Sequence, residues 1–203
     1  MSITIYKGDL PDDFDAGASI AIDTETMGLN PKRDRLCLVQ LSTGDGTAAI
    51  VQFKQGEYNA PNLKKILSDQ AITKIFHFAR FDVAVLKEYL GVDCTPVYCT
   101  KIASRLCRTY TDRHSLKELC RELLDVSLDK QQQSSNWGAE ELSQDQKAYA
   151  ANDVLYLHKL KEKLDEMLTE NGRADTAHRC FEFLQTRADL DLNGWYETDI
   201  FAH

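Results

Sequence analysis

The chain has 203 residues, 43% of them apolar and 28% charged, with a formal net charge of −8. This length and balance predict one compact domain with a sizeable core and exclude a disordered chain, while the acidic excess argues against a protein that coats nucleic acid broadly. No apolar run approaches the roughly 18 residues of a membrane span, and the opening Met-Ser-Ile-Thr-Ile-Tyr-Lys lacks the form of a signal peptide. Cysteines 37, 94, 99, 107, 120 and 180 show no Cys-x-x-Cys or zinc-like spacing, so they are expected as reduced thiols in a cytoplasm.

Residues 2–6 read as a first strand and 11–17 as a turn-rich connector. Ser19–Thr26 follows as a strand, with Ile20 and Ile22 alternating against Ala21, Asp23 and Glu25. Residues two apart on a strand share a face, so Asp23 and Glu25 project side by side. Carboxylates that close raise the cost of ionising each other unless a divalent cation sits between them. Taken alone, an Asp-x-Glu is more often a solvated strand end.

A loop over 27–34 contains Gly28, Asn30 and Pro31. Strands over Leu36–Ser42 and 47–53 are joined by the hairpin signal Gly44-Asp45-Gly46, giving an antiparallel meander. Pro61–Ser68 reads as a short helix and 74–78 as a strand. The helix after it ends at Gly91 and has an apolar stripe of Phe78, Val85, Leu86 and Tyr89, with Asp82 inside it. A last short strand covers 97–99. Strands alternating with helices in this half predict parallel pairing, and the whole reads as α/β, a mixed five-stranded sheet flanked by helices.

A helix over 100–108 puts Lys101, Arg105 and Arg108 on one face, with Arg113, His114 and Lys117 close behind. A solvated face is the ordinary explanation. In an acidic chain this densest basic cluster is read instead as the wall of a nucleic-acid groove. Ser115 is placed as the cap of a helix to Leu124, with Glu118 at the capping-box position. Residues 130–138 form a polar, glutamine-rich loop, in which Trp137 is either a core plug or a base-stacking platform. Helical pattern resumes at Ser143 and runs as one long helix to Asn171-Gly172. Its stripe of Tyr149, Leu157, Leu160, Leu164 and Leu168 again contains an acid, Asp153. A final helix over 176–187 packs through Cys180, Phe181 and Leu184, and the aromatic tail 192–203 docks on the body or on a partner subunit.

A charge on an apolar face is expensive unless paired or metal-bound. Three acidic sites, each at the start or end of a core element, point to a shared metal site.

The ordered set Asp23-x-Glu25, Asp82 and Tyr149-x-x-x-Asp153 resembles the three motifs of the DEDD superfamily of 3′–5′ exonucleases. It is similar to the tyrosine branch, since Ala148 stands where the histidine branch has its histidine. His77 to Asp82, Asp129-Lys130 with Trp137, and Tyr149 to Leu157 resemble ribonuclease D in particular. Glu140-Glu141-Leu142 departs from the Arg-Pro-Leu-like stretch that ribonuclease D relatives often carry after the tryptophan.

The resemblance implies a ribonuclease-H-like fold in a single exonuclease domain over 1–203, with the C-terminal helix and tail from about 172 packed on it. It implies two divalent ions, Mg²⁺ or Mn²⁺, held by Asp23, Glu25, Asp82 and Asp153, with Tyr149 orienting the attacking water. It further implies that Leu29 wedges between the last two bases and that backbone groups of Thr24, Met27 and Gly28 face the 3′-terminal nucleotide. His77 either contacts substrate or is a satisfied core histidine. The expected activity is removal of nucleoside monophosphates from single-stranded RNA 3′ ends by a monomer or weak homo-oligomer. The alternatives are a DNA exonuclease of the Werner or proofreading type, and an inactive RNA-binding module.

Overall fold

The computed structural model describes residues 2–128 and 135–203. Asp129 and Lys130, and most of the expected glutamine-rich loop, lie outside the described residues. Six strands form one sheet: β1 (Ser2–Lys7), β2 (Ser19–Thr26), β3 (Leu36–Ser42), β4 (Thr47–Gln52), β5 (Thr73–Phe76) and β6 (Val97–Cys99), in the order β1-β4-β3-β2-β5-β6. The sheet is mixed and helix-flanked as expected, but has six strands rather than five. All six strands read from the sequence join it, with β1 pairing parallel with β4 at the edge. The meander β2-β3-β4 is antiparallel, and β5 and β6 continue the sheet in parallel beyond β2.

β3 is enclosed along its whole length: all seven of its residues are buried. A strand covered on both faces reads as a near-continuous apolar run, and Leu-Cys-Leu-Val-Gln-Leu-Ser is one. On one face α1 (Pro61–Ser68) and α2 (Ala79–Leu90) close the main core. On the other, α5 (Gln144–Leu155) lies over β2, β3 and β4 and seals a smaller cluster of Leu38, Ile50, Trp137, Leu142 and Ala150. The remaining helices are α3 (Thr100–Cys107), α4 (Leu116–Leu124), α6 (Leu157–Glu170), α7 (Ala174–Glu182) and α8 (Leu184–Leu190).

Helix ends follow local chemistry. Gly91 (φ 64°) and Gly172 (φ 62°) provide the left-handed residues that stop α2 and follow α6. Ser115 Oγ accepts from Glu118 N, while the Glu118 carboxylate turns to Arg121. A reciprocal capping box forms instead at Ser143 and Gln146.

Two expected helices are each divided. The long one breaks at Tyr156 (φ −105°, ψ −5°) into α5 and α6, so α5 can tilt over the sheet while α6 packs beside it. The final one starts earlier, at Ala174, and divides at Phe183 into α7 and α8. An irregular turn over Asp191–Trp195 then leads into the tail, which docks on the chain's own body through Arg80 and Arg187. All six cysteines are free.

Candidate active site

β2 delivers Asp23 and Glu25 to the face under α5, as strand alternation dictates. α5 brings Asp153 down onto them, and the three side chains offer carboxylate oxygens that all lie within 4.8 Å of one another. Thr24, between the two acids, points to the opposite face. There its backbone N–H and hydroxyl both donate to Asp82 Oδ1, at 3.1 and 2.7 Å. Asp82 itself is buried in the first turn of α2. Tyr149, one turn before Asp153, packs against Trp137 with ring centroids 5.9 Å apart.

The electrostatics follow from this crowding. Asp23 is raised well above the usual carboxylate range by desolvation and then by the charges of Asp82, Asp153 and Glu25. Glu25 is pushed up to about 9 by the same desolvation and by Asp153 and Asp82. Burial lifts Asp82 to about 7 against the opposing pull of the Thr24 bonds. Tyr149 is raised by burial and by the Asp153, Glu25 and Asp23 charges, so its hydroxyl keeps its proton.

This donor set fits a hard divalent cation: it is all oxygen, mutually repelling and convergent. A second observation agrees. Gln40 is the cross-strand partner of Asp23 in β3, so its side chain shares that face. It is fully buried, yet neither amide atom has a partner among the described residues. A buried amide left unpaired costs about 1–3 kcal/mol; water held by a bound cation would satisfy it.

Above the carboxylates opens a cleft of about 660 Å³, lined by the 23–29 segment, His77, Phe78, Lys101, Lys117, Trp137, Tyr149 and Asp153 among others. Leu29 stands 79% exposed at its mouth. The turn behind it is organised by Asp34, which Arg33 and the backbone N–H of Asn30 hold at about 2. A side chain at Gly28 would collide with that Asp34 carboxylate, which explains the glycine. His77 Nδ1 lies 2.9 Å from Thr100 Oγ1, and that hydroxyl donates to Phe76 O. The Thr100 oxygen therefore accepts from Nδ1–H, fixing the imidazole at the cleft wall.

Three expectations need correction. Arg108 is not on the groove wall: its side chain is fully buried and is held by Glu122, Ser104 Oγ and the Arg113 carbonyl. Arg105 faces a neighbouring, mostly apolar cavity of about 500 Å³, while Lys101 lines both this cavity and the cleft. Phe78 is not part of a buried stripe: it enters α2 at φ 70°, is 40% exposed and lines the cleft with Lys101 over its ring. No glycine or asparagine marked that position as left-handed. Trp137 is a buried plug that also borders the cleft. Glu140 places its carbonyl against Lys7 and Gln52 at the sheet edge.

A family model described as 3′–5′ exonuclease matches residues 9–169. The chain belongs to the DEDD 3′–5′ exonucleases, of ribonuclease D type. The chain has their ribonuclease-H-like fold. It is 37% identical over 166 residues to DNA polymerase I of Aquifex aeolicus, covering 82% of this chain and 26% of that protein. To ribonuclease D of Acidiphilium cryptum it is 33% identical over 156 residues, covering 77% and 39%. The chain thus spans between a quarter and two fifths of the length of these curated relatives. Solved structures of Brucella melitensis NrnC match along the whole chain. The one bound to pGG has 60% identity, a TM-score of 0.96 and coverage of 100% and 99%. The one with bound Mg²⁺ has 58% identity, a TM-score of 0.95 and coverage of 100% of each chain.

Proposed function

We propose that the exonuclease removes nucleoside monophosphates from the 3′ ends of short single-stranded RNA with two divalent ions, Mg²⁺ or Mn²⁺. The observation that carries this reading is the convergence of Asp23, Glu25 and Asp153 within 4.8 Å, beneath a cleft whose mouth holds an exposed apolar wedge, Leu29. The Mg²⁺-bound NrnC structure supports the choice of cation.

When bound, a divalent pair supplies an activated water and neutralises the leaving oxygen. Asp23, Glu25 and Asp153 would hold these ions together with Asp82, which lies on the other side of Asp23 at the start of α2. Tyr149 keeps its proton, so it orients the attacking water rather than deprotonating it. Leu29 and the backbone of Thr24, Met27 and Gly28 hold the terminal nucleotide, while His77 and Lys101 border its path.

The ribonuclease D relatives and the NrnC structure bound to pGG favour RNA, and very short strands among RNAs. The likeness to DNA polymerase I supports a second reading, a DNA exonuclease. Matched 5′-labelled RNA and DNA strands of two to twenty nucleotides, digested with Mg²⁺, decide between them. RNA should shorten at least about tenfold faster, a difference of ~1.4 kcal/mol in barrier. Equal or faster loss of DNA overturns the RNA assignment, and no cleavage of either leaves the inactive binding module. Cytoplasmic action fits six unbridged cysteines, and no described helix is long and apolar enough to cross a membrane.

A further inference from the structure

The first turn of α2 presents Asp82, yet it begins without the usual support. Its N-cap is Phe78, in the left-handed region at φ 70°, and no side chain caps the turn. A non-glycine residue there is strained, and in place of a side-chain cap the turn is held by weaker means, Phe81 N–H closing back on the Phe78 carbonyl at 3.1 Å. Asp82 is tied to Thr24 on one side. On the other side stands Arg80, two residues earlier, and its guanidinium forms a two-point pair with Asp191: Nε to Oδ2 at 2.7 Å and Nη2 to Oδ1 at 2.8 Å.

Asp191 has only 1% of its side chain exposed and is shared with a second arginine, Arg187, also through two donors. The same guanidiniums hold the tail backbone: Arg80 reaches Tyr196 O at 2.5 Å and Arg187 reaches Trp195 O at 2.5 Å. The Tyr196 ring lies 5.1 Å from the Arg80 guanidinium carbon. Beyond the tail, Asn193 and Tyr196 face Asn30 and Lys32 across a cavity of about 430 Å³, next to the wedge Leu29. Asp191, Arg187 and the tail all lie past residue 169, outside the span that matches the family model.

We propose that Arg80 is a positioning residue: clamped by Asp191, it fixes the uncapped first turn of α2 and so holds Asp82 in register with Asp23 and Glu25. The C-terminal segment then supports the active site through one residue, Asp191. This rests on the assignment of Asp82 to the metal site, and its principal test does not depend on substrate.

In the metal-free, full-length protein, hydrogen exchange is measured at the amides of residues 79–83 in Arg80→Gln, Arg80→Lys and Arg187→Gln. Arg80→Gln should accelerate exchange there at least about tenfold, with α1 unchanged as an internal reference. With substrate and Mg²⁺ it should lower kcat about 10- to 100-fold while KM moves less than about threefold, as expected for loss of a group that orients a ligand. Arg80→Lys keeps the charge but not the two-point geometry and should fall between. Arg187→Gln removes two bonds to Asp191 and two to the tail, one more than Arg80→Gln removes, but spares the Arg80 pair, so it should leave exchange at 79–83 and kcat near wild type.

Unaltered exchange at 79–83 in Arg80→Gln overturns the proposal. So does an equal fall of kcat in Arg80→Gln and Arg187→Gln, which would make the tail merely stabilising. If Arg80→Gln does not fold, Asp191→Asn serves in its place, with accelerated exchange at 79–83 expected and unchanged exchange contradicting the idea. A wild type that leaves RNA intact sinks the substrate assignment, while the exchange result still judges Arg80.

Discussion

Thr24 and Asp82 are joined twice, the backbone N–H and the hydroxyl of the threonine both donating to one carboxylate oxygen. The pair stitches strand to helix, so Asp23, Glu25 and Asp82 are held as one unit. Thr24→Val keeps the shape and deletes the hydroxyl. It should destabilise the metal-free protein by about 1–2 kcal/mol, the cost of a buried bond left unmade. It should also raise the Mg²⁺ concentration needed for half-maximal rate, because Asp82 loses a bond that favours its charged form. Thr24→Ser should behave as wild type. Thermal melts with chelator and a Mg²⁺ titration of the rate check both; a valine variant equal to wild type in each would remove the tie from the mechanism.

Asp23→Asn and Asp153→Asn should each abolish hydrolysis while keeping the fold. Without metal, Asp23→Asn should also melt higher than wild type at neutral pH, since it removes one of several mutually repelling carboxylates. Circular dichroism melts in chelator and single-turnover rates in Mg²⁺ are the measurements. Retention of more than about a tenth of the wild-type rate, a barrier change under ~1.4 kcal/mol, contradicts the assignment.

The raised carboxyl groups fix the sign of the pH dependence. Glu25 titrates near 9 in the folded, metal-free protein, against about 4.3 when unfolded. Asp82 titrates near 7, against about 3.9. The folded state holds these protons more tightly, so metal-free stability is fullest below both unfolded values. It falls as pH rises, from about 4 to 7 for Asp82 and on to about 9 for Glu25. Metal binding at pH 7 must then expel protons, and affinity should climb with pH. Calorimetry in buffers of different ionisation enthalpy counts those protons; a buffer-independent heat would rule this out.

The legible part of this fold was its alternation. Asp23 and Glu25 fell on one strand face, Asp153 on a helix that had to cover it, and the positions of Gly44, Gly91, Gly172 and Ser115 were readable from local chemistry. The breaks at Tyr156 and Phe183 were not. Neither carries a glycine or proline, and both arise because the following helix packs against a different partner. Arg108 misled for a related reason. Helical spacing assigns a face but not what lies beyond it, and Glu122 on the next helix turned an apparent surface cation into a core one. The Asp191 clamp had no signal at all, since it joins residues more than a hundred positions apart.

Leu29 projects into solvent, so its role separates cleanly from stability. Leu29→Ala should shift folding by no more than about 0.5 kcal/mol. It should lower kcat/KM on short RNA about tenfold, within the range of one lost base contact. A 3′-phosphate should suppress degradation of the wild type, and circular RNA should remain intact. Internal cuts in a circle would show that the cleft does not read an end.

The three basic residues of α3 now divide into two tests. Arg108→Ala strips a buried cation from Glu122, Ser104 and the Arg113 carbonyl, and should destabilise the fold by about 3 kcal/mol or more, whatever the substrate. Lys101 and Arg105 lie toward the cleft and its neighbouring cavity, and burial and then the Arg105 charge depress the Lys101 ammonium, a repulsion that a phosphate would relieve. The double variant Lys101→Ala with Arg105→Ala should fold normally and bind single strands more weakly at low salt, with no dependence on base sequence. Each lost phosphate contact should flatten the slope of log affinity against log salt by about 0.7. Binding measured with Ca²⁺ in place of Mg²⁺ is expected to hold off cleavage during the titration. An unchanged slope would move the strand away from α3 and toward Lys32, which faces the tail cavity beside Leu29.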